Sequence, residues 1–414
     1  MTDVNILIGR YKKVRSTTEK ICEPLATEDY VVQPMADVSP PKWHLAHTTW
    51  FFETFILSAF KNDYRVFDKD FSYFFNSYYE SVGKRVIRVN RGNMTRPVTS
   101  EIMKYRAYVD QQMDDFLENF PLTDQLQYIF ETGLQHEQQH QELLMTDIKF
   151  ILGGNPLFPV YKKNELKSLQ NPATIKPIAM EGGVYEVGYR GKGFHFDNER
   201  GCHKVYLHDF EIMDGLVTNE QYIEFIEAGG YKNFKYWLAD GWDWVNKNQI
   251  EAPLYWHKID GKWYHFTLNG LEEVNPDSPV THVSQYEADA YASFRDMRLP
   301  TEEEWETTAR KFHSEIPDGN FFDKGFYHPN PKNGSDQLFG DAWEWTGSAY
   351  LQYPYFVKEE GALGEYNGKF MSGQMVLRGA SCATSADHIR HSYRNFFYPQ
   401  SRWQFTGIRL ARNI

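Results

Sequence analysis

The chain changes texture once, near residue 155, and that change limits how it can fold. Up to that point apolar residues recur at helical spacing over long runs. Beyond it, glycine, tryptophan and turn dipeptides rise and long helical periodicity stops. A chain of 414 residues is also too long for one ordinary core. Two domains are therefore expected, a helical one over 1–154 and an α+β one over 176–414. The stretch 155–175, with Pro156, Pro159 and Pro172 among lysines, reads as a linker.

In the first half, Tyr11–Ile21 reads as a short charged helix. Ser39-Pro40-Pro41 opens a second helix through WHLAHTTWFFETFILSAF, with proline in its first turn. Phe67–Asn93 is irregular, aromatic and then basic. Thr99–Asn119 carries Ile102, Tyr105, Val109, Met113 and Phe116 at helical spacing. Thr123 caps the last helix, which runs to about Leu152 and ends at Gly153-Gly154-Asn155-Pro156. Four such helices form a bundle that can hold a site in its interior. In the second half only two short helices are expected, Asn219–Ala228 and Ser284–Arg295, among short strands and long loops.

The last helix of the bundle carries the run LQHEQQHQELL. His136 and His140, four apart, project from one face one turn apart, as two imidazoles sharing a metal must. At about 100° per residue, Gln139 lies roughly 60° from His136, and Glu142 lies on nearly the opposite face from His140. Glu142 is thus poorly placed as a third ligand and better placed as a supporting contact. His44 or His47, on the second helix, can complete the set, and spacing does not choose between them. Three histidines suit zinc or non-haem iron. HEQQH also has the form of the zinc-protease HExxH, with Glu137 as base, but a further ligand close behind is missing.

Composition narrows the partners. A net charge of −12 argues against nucleic acid. No apolar run approaches twenty residues, so no membrane helix is expected. The start MTDVNILIGRYKK lacks a signal-peptide core. Cys22, Cys202 and Cys382 are scattered without a CxxC pair, which suggests neither a disulfide framework nor a thiolate zinc site. A cytoplasmic setting is expected, with the oligomeric state left open.

Phe74-Phe75-Asn76-Ser77-Tyr78-Tyr79 is followed by Arg85, Arg88, Arg91 and Arg96. Tyrosine near a redox metal can supply a proton, and arginines can grip a carboxylate. The same run also reads as an aromatic loop packed on the bundle, followed by a solvated basic strand.

Several segments recur in an order that resembles a known family. WHLAHTTWFFETF and HEQQHQELL resemble the DinB-like four-helix bundle. RLPTEEEWE and RGASC…RHSYRNFF…GIRLAR resemble the formylglycine-generating-enzyme fold, a variant of the C-type-lectin fold. Together they are similar to the EgtB family of sulfoxide synthases of ergothioneine biosynthesis, over nearly the whole chain. The resemblance implies Fe(II) held by His47, His136 and His140, with O2 as co-substrate. It implies coupling of a thiol to the imidazole C2 of hercynine (Nα-trimethylhistidine). Tyr78, with Tyr79 beside it, would donate a proton. Arg88 and Arg91 would hold the carboxylate of cysteine, and Gln139 would bond the substrate imidazole. Asn395, Phe396, Phe397 and Trp403 would line the betaine pocket. One branch of the family uses γ-glutamylcysteine and has aspartate where this chain has Phe397. Cysteine is therefore the expected donor, giving hercynylcysteine sulfoxide. The alternatives are an ovothiol-type 5-histidylcysteine sulfoxide synthase, γ-glutamylcysteine or a selenium donor. A copper-dependent formylglycine generator needs two nearby cysteines that the second half lacks. A non-catalytic lectin-like binding module is a further class.

Overall fold

The computed structural model describes residues 4–121, 123–164, 172–358, 361–365 and 367–414. It divides into two units, Met1–Tyr161 with Glu360–Tyr366, and Lys162–Glu359 with Asn367–Ile414. Of the stretch read as a linker, residues 165–171 lie outside the described residues.

The first unit is built on α1 (Val4–Cys22), α2 (Pro41–Phe52), the short α3 (Phe71–Phe75), α4 (Thr99–Asn119) and α5 (Asp124–Gly153). α1 begins seven residues before the expected Tyr11, because Leu7 continues the buried face of Tyr11, Val14 and Ile21. α2 is buried at every position, so its sequence shows no polar face. It packs on α4 and α5, and α1 packs on both of these. After Phe52 one π-helical turn, Glu53–Leu57, carries the helix on to Phe60. Buried Glu53 accepts there from the hydroxyls of Tyr64 (2.7 Å) and Tyr105 (2.6 Å). α4 has the expected bounds, and the Thr123 hydroxyl caps α5 by accepting from the Leu126 N–H.

The described stretch 361–365 belongs with this first unit, although it comes late in the chain. Glu365 accepts from the backbone N–H of Glu80 (2.9 Å) and of Ser81 (3.0 Å), and from the Ser81 hydroxyl (2.7 Å). A division drawn linearly at the linker does not contain this strap.

The second unit is α+β. β1 (Pro177–Met180), β4 (Phe210–Met213) and β12 (Ala411–Asn413) form one antiparallel sheet. β2 (Gly183–Val187) pairs with β3 (His203–Leu207), and β5 (Trp256–Ile259), β6 (Lys262–Thr267) and β7 (Gly270–Glu273) form a meander. The central sheet runs in the order β10 (Asn395–Phe397), β9 (Met375–Arg378), β8 (Trp343–Ala349), β11 (Thr406–Gly407), with only β8 and β11 parallel.

Helices α6 (Asn219–Glu227) and α8 (Gln285–Phe294) match the two expected ones. Two more, α7 (Ala239–Asn248) and α9 (Glu302–Phe312), correct the expectation of loops and strands alone. α9 has a clear start signal, since Thr301 and Glu304 cap each other reciprocally. Its buried face mixes Trp305 and Ala309 with carboxylates. Glu302 pairs with Arg394 (2.8 Å) and Glu306 with Arg378, all four side chains buried. Glu344 of β8 pairs likewise with Arg409 (2.6 Å) and accepts from the Trp305 indole (2.7 Å). The prominent RLPTEEEWE, RGASC, RHSYRNFF and GIRLAR segments thus supply the buried ion pairs that tie this unit together.

Candidate metal centre

His47 lies in mid-α2, and His136 and His140 lie in mid-α5. The His47 Nδ1–H donates to the Phe75 carbonyl (2.6 Å), leaving the Nε2 lone pair free to point elsewhere. That Nε2 stands 3.1 Å from Nε2 of His136. Two nitrogens each about 2.1 Å from one ion are ~3.0 Å apart at right angles and ~3.4 Å apart at the tetrahedral angle. The observed spacing therefore fits two ligands of one ion. One nitrogen from each of His47, His136 and His140 lies within 4.8 Å of the others.

Aromatic rings enclose the cluster. Trp43 stacks on His47 at 4.5 Å, Trp50 lies nearly parallel to it at 5.6 Å, and Phe51 sits 4.8 Å from His136. Burial, then the neighbouring His136, pushes His47 well below the usual histidine range. Burial, then His136 and His47, does the same for His140. Burial brings His136 down to about 3, against the opposing charge of Glu137. All three are held neutral, which is the form that binds a metal. An all-imidazole donor set of this kind fits zinc or iron.

His44 and His47, which spacing left open, have different places. His44 is outside the three-histidine group, and so is Glu142. His44 instead stands 2.9 Å from Nδ1 of His140 through its own Nδ1, and 3.0 Å from Asp147 through Nε2. Asp147 is seven residues after His140, so it returns to nearly the same side of α5 two turns later. That spacing was a legible signal for a supporting carboxylate, and reasoning from the sequence overlooked it.

Glu137 faces away from the cluster. It takes Arg15 at 2.9 Å, Arg106 at 2.6 Å and the Thr18 hydroxyl at 2.7 Å, all deep in the bundle. Burial alone would raise its pKa, but Arg106 and Arg15 hold it at about 2. A carboxylate engaged by two arginines is no general base, which removes the zinc-protease reading of HEQQH.

Residues 162–330 and 324–414 match the sulfatase-modifying factor enzyme 1-like domain, and residues 10–144 match the DinB superfamily. A hercynine oxygenase of Mycolicibacterium smegmatis is 30% identical over 79% of this chain and 81% of its own length. A hercynine oxygenase of Mycobacterium tuberculosis is 31% identical over 69% of this chain and 72% of its own. The ergothioneine biosynthesis protein 1 of Schizosaccharomyces pombe is 27% identical over 53% of this chain and 28% of its own.

The chain belongs to the hercynine oxygenase family. Its helical unit is the DinB domain and its α+β unit the sulfatase-modifying-factor-like domain.

The other residues singled out from the sequence fall in distinct surroundings. Tyr79 is fully buried, with its ring 5.7 Å from Trp50 and 5.3 Å from Phe55. Tyr78 is half-buried beside it, ring centres 4.7 Å apart. Asn76 pins this loop, accepting from the Tyr79 N–H and donating to the Tyr79 carbonyl. The loop starts at Phe75, the residue that holds His47. Arg91 is buried with its guanidinium 3.4 Å from the centre of the Trp43 ring and one nitrogen on Ser39 Oγ (2.9 Å). Arg88 is exposed and donates to the Asp37 carbonyl. Gln139 is half-buried on α5 between His136 and His140.

In the second unit Asn395, Phe396 and Phe397 make up β10. Phe396 stacks on Tyr350 at 4.0 Å, and Phe397 meets the buried Trp403 edge-on at 5.6 Å. Among the described residues, no helix is long and apolar enough to cross a membrane.

Proposed function

We propose that this chain joins the sulfur of cysteine to the imidazole C2 of hercynine with O2, giving hercynylcysteine sulfoxide. The observation that carries this reading is the facing pair His47 Nε2 and His136 Nε2, 3.1 Å apart, with His140 completing three neutral imidazoles. The balance is one hercynine, one cysteine and one O2, yielding the sulfoxide and one water. The C2–H and S–H hydrogens leave in the water, a C–S bond forms, and the second oxygen stays on sulfur. Both organic partners are oxidised, and O2 takes up the four electrons.

His47, His136 and His140 would hold Fe(II), which supplies O2 activation and a deprotonated thiol when bound. Three ligands leave the remaining positions for substrate groups. Arg91 suits a carboxylate, because it is a buried cation that forms no ion pair among the described residues, and its Nε has no partner. Burial, then the charge of Arg88, disfavours its isolated positive form, so an anion would relieve it. Arg88 would add a second charge at the same substrate end. Tyr78 is the proposed proton donor, with Tyr79 as its packed support. Gln139 would bond the hercynine imidazole. Asn395, Phe396, Phe397 and Trp403 would receive the betaine, whose trimethylammonium favours aromatic faces. Phe397 offers neither charge nor hydrogen bond to a γ-glutamyl group, which supports free cysteine as donor.

Anaerobic loading with Fe(II), addition of hercynine and cysteine, then O2, tests the reading by mass spectrometry of the coupled sulfoxide. Product from γ-glutamylcysteine but not cysteine would overturn the donor. Product from histidine but not hercynine would move the chain to the ovothiol-type reaction. Tyr78→Phe should cut sulfoxide formation by about 10²-fold or more, in the range for a positioned acid. Full synthase activity in that variant would remove Tyr78 from the mechanism.

A further inference from the structure

Outside the three histidines, the bundle holds a buried chain of polar groups that ends on one of them. Arg91 donates to Ser39 Oγ (2.9 Å), and the Ser39 N–H donates to Asp147 Oδ2 (2.8 Å). The same Oδ2 lies 3.0 Å from His44 Nε2, and His44 Nδ1 lies 2.9 Å from His140 Nδ1. His44 and Asp147 are each 2% exposed, so water does not compete for these bonds.

The direction of each bond follows from the atoms. A carboxylate only accepts, so His44 carries its proton on Nε2 and donates it to Asp147. In a neutral His44, Nδ1 is then a lone pair, and a contact of 2.9 Å to another ring nitrogen requires a hydrogen between them. That hydrogen belongs to His140 Nδ1. His140 is thereby left with its lone pair on Nε2. We propose that His44 and Asp147 are positioning residues that fix His140 as the Nδ1–H tautomer and present its Nε2 to the metal. His47 is fixed in the same sense by the Phe75 carbonyl. One ligand is thus oriented by backbone, the other by a histidine–aspartate pair, as outer partners of metal histidines commonly act.

This inference rests on the reading of His47, His136 and His140 as a metal site, and the two are tested separately. The full-length protein is titrated anaerobically with Co(II), following the visible ligand-field bands and the dissociation constant. His47→Ala should abolish binding, and unchanged binding in that variant would overturn the metal site itself. His44→Leu should weaken Co(II) by about 10–100-fold and shift the bands. His44→Gln keeps an amide oxygen to accept from His140 and an amide N–H to donate to Asp147, and should recover most of the affinity. Asp147→Leu acts through His44, so the double variant His44→Leu/Asp147→Leu should bind no more weakly than His44→Leu alone. A merely structural role predicts additive losses and no rescue by glutamine.

Wild-type affinity and bands in His44→Leu would overturn the proposal. So would a loss as complete as that of His47→Ala with no rescue, which would make His44 a ligand. Nitrogen-15 histidine spectra of the Zn(II)-loaded wild type decide the point without any variant. A proton on His140 Nδ1 coupled to His44 Nδ1 is expected, and a proton on His44 Nδ1 overturns the assignment.

Discussion

Glu137 shows how a single residue can sit inside a catalytic-looking motif and serve only the fold. It lies between His136 and His140 of the candidate metal centre, yet points about 100° from His136 on the helix. There it meets Arg15 and Arg106, buried cations whose other carboxylate partners, Asp110 and Glu19, are more exposed than Glu137. Glu137→Gln should cost about 3–5 kcal/mol, the range for breaking a buried pair and leaving its partners charged. Denaturant unfolding at neutral pH measures it. The cost should also depend on pH. The pKa of Glu137 is held at about 2 in the fold against an ordinary value of 4.5. A depressed folded pKa gives stability that is complete above the unfolded value and fades as pH falls through the folded one. The gap between wild type and Glu137→Gln should therefore be full above about pH 4.5 and narrow toward pH 2. A gap that stays constant over that range would contradict the assignment.

At the scale of elements, the metal cluster depends on how closely α2 and α5 approach. Gly133, one turn before His136, makes that approach possible. A Cβ there would stand 2.8 Å from Phe52 Cε1 and 3.0 Å from Phe51 Cε1, inside normal contact. Gly133→Val should destabilise the first unit by about 1–3 kcal/mol through overpacking. It should also weaken metal binding, because His47 and His136 come from the two helices it separates. Calorimetry and metal titration on the same sample check both effects. Helix existence was largely readable here from periodicity and caps, as at Thr99–Asn119 and Thr123. It was missed at Glu302–Phe312 despite the Thr301–Glu304 start signal, because ion-paired carboxylates share the inner face with Trp305 and Ala309.

For the molecule as a whole, the three histidines that could hold a metal all lie in the first unit, while the buried Glu–Arg pairs of the family motifs lie in the second. Metal should accordingly act on one unit's stability. At a free metal concentration 100 times the dissociation constant, the first unit should gain about 2.7 kcal/mol. A calorimetric scan should show one transition rising with Fe(II) or Zn(II) and falling back with chelator, the other staying put. Equal movement of both transitions would mean the two units unfold together.

The sequence alone determined the two-part architecture, the bundle and the pair His136 and His140. These are local properties, periodicity, caps and spacing along one helix, and they need no knowledge of neighbours. Motif order was enough to suggest the family. Spacing left His44 and His47 open and the motif resemblance pointed to His47; the tertiary structure groups His47 with His136 and His140 and turns both nitrogens of His44 to other partners. It also turned Glu137 toward two arginines and His44 toward Asp147 and His140. Those partners are between 31 and 122 residues away in the chain. A side chain's role at that range is set by packing, which no local pattern records.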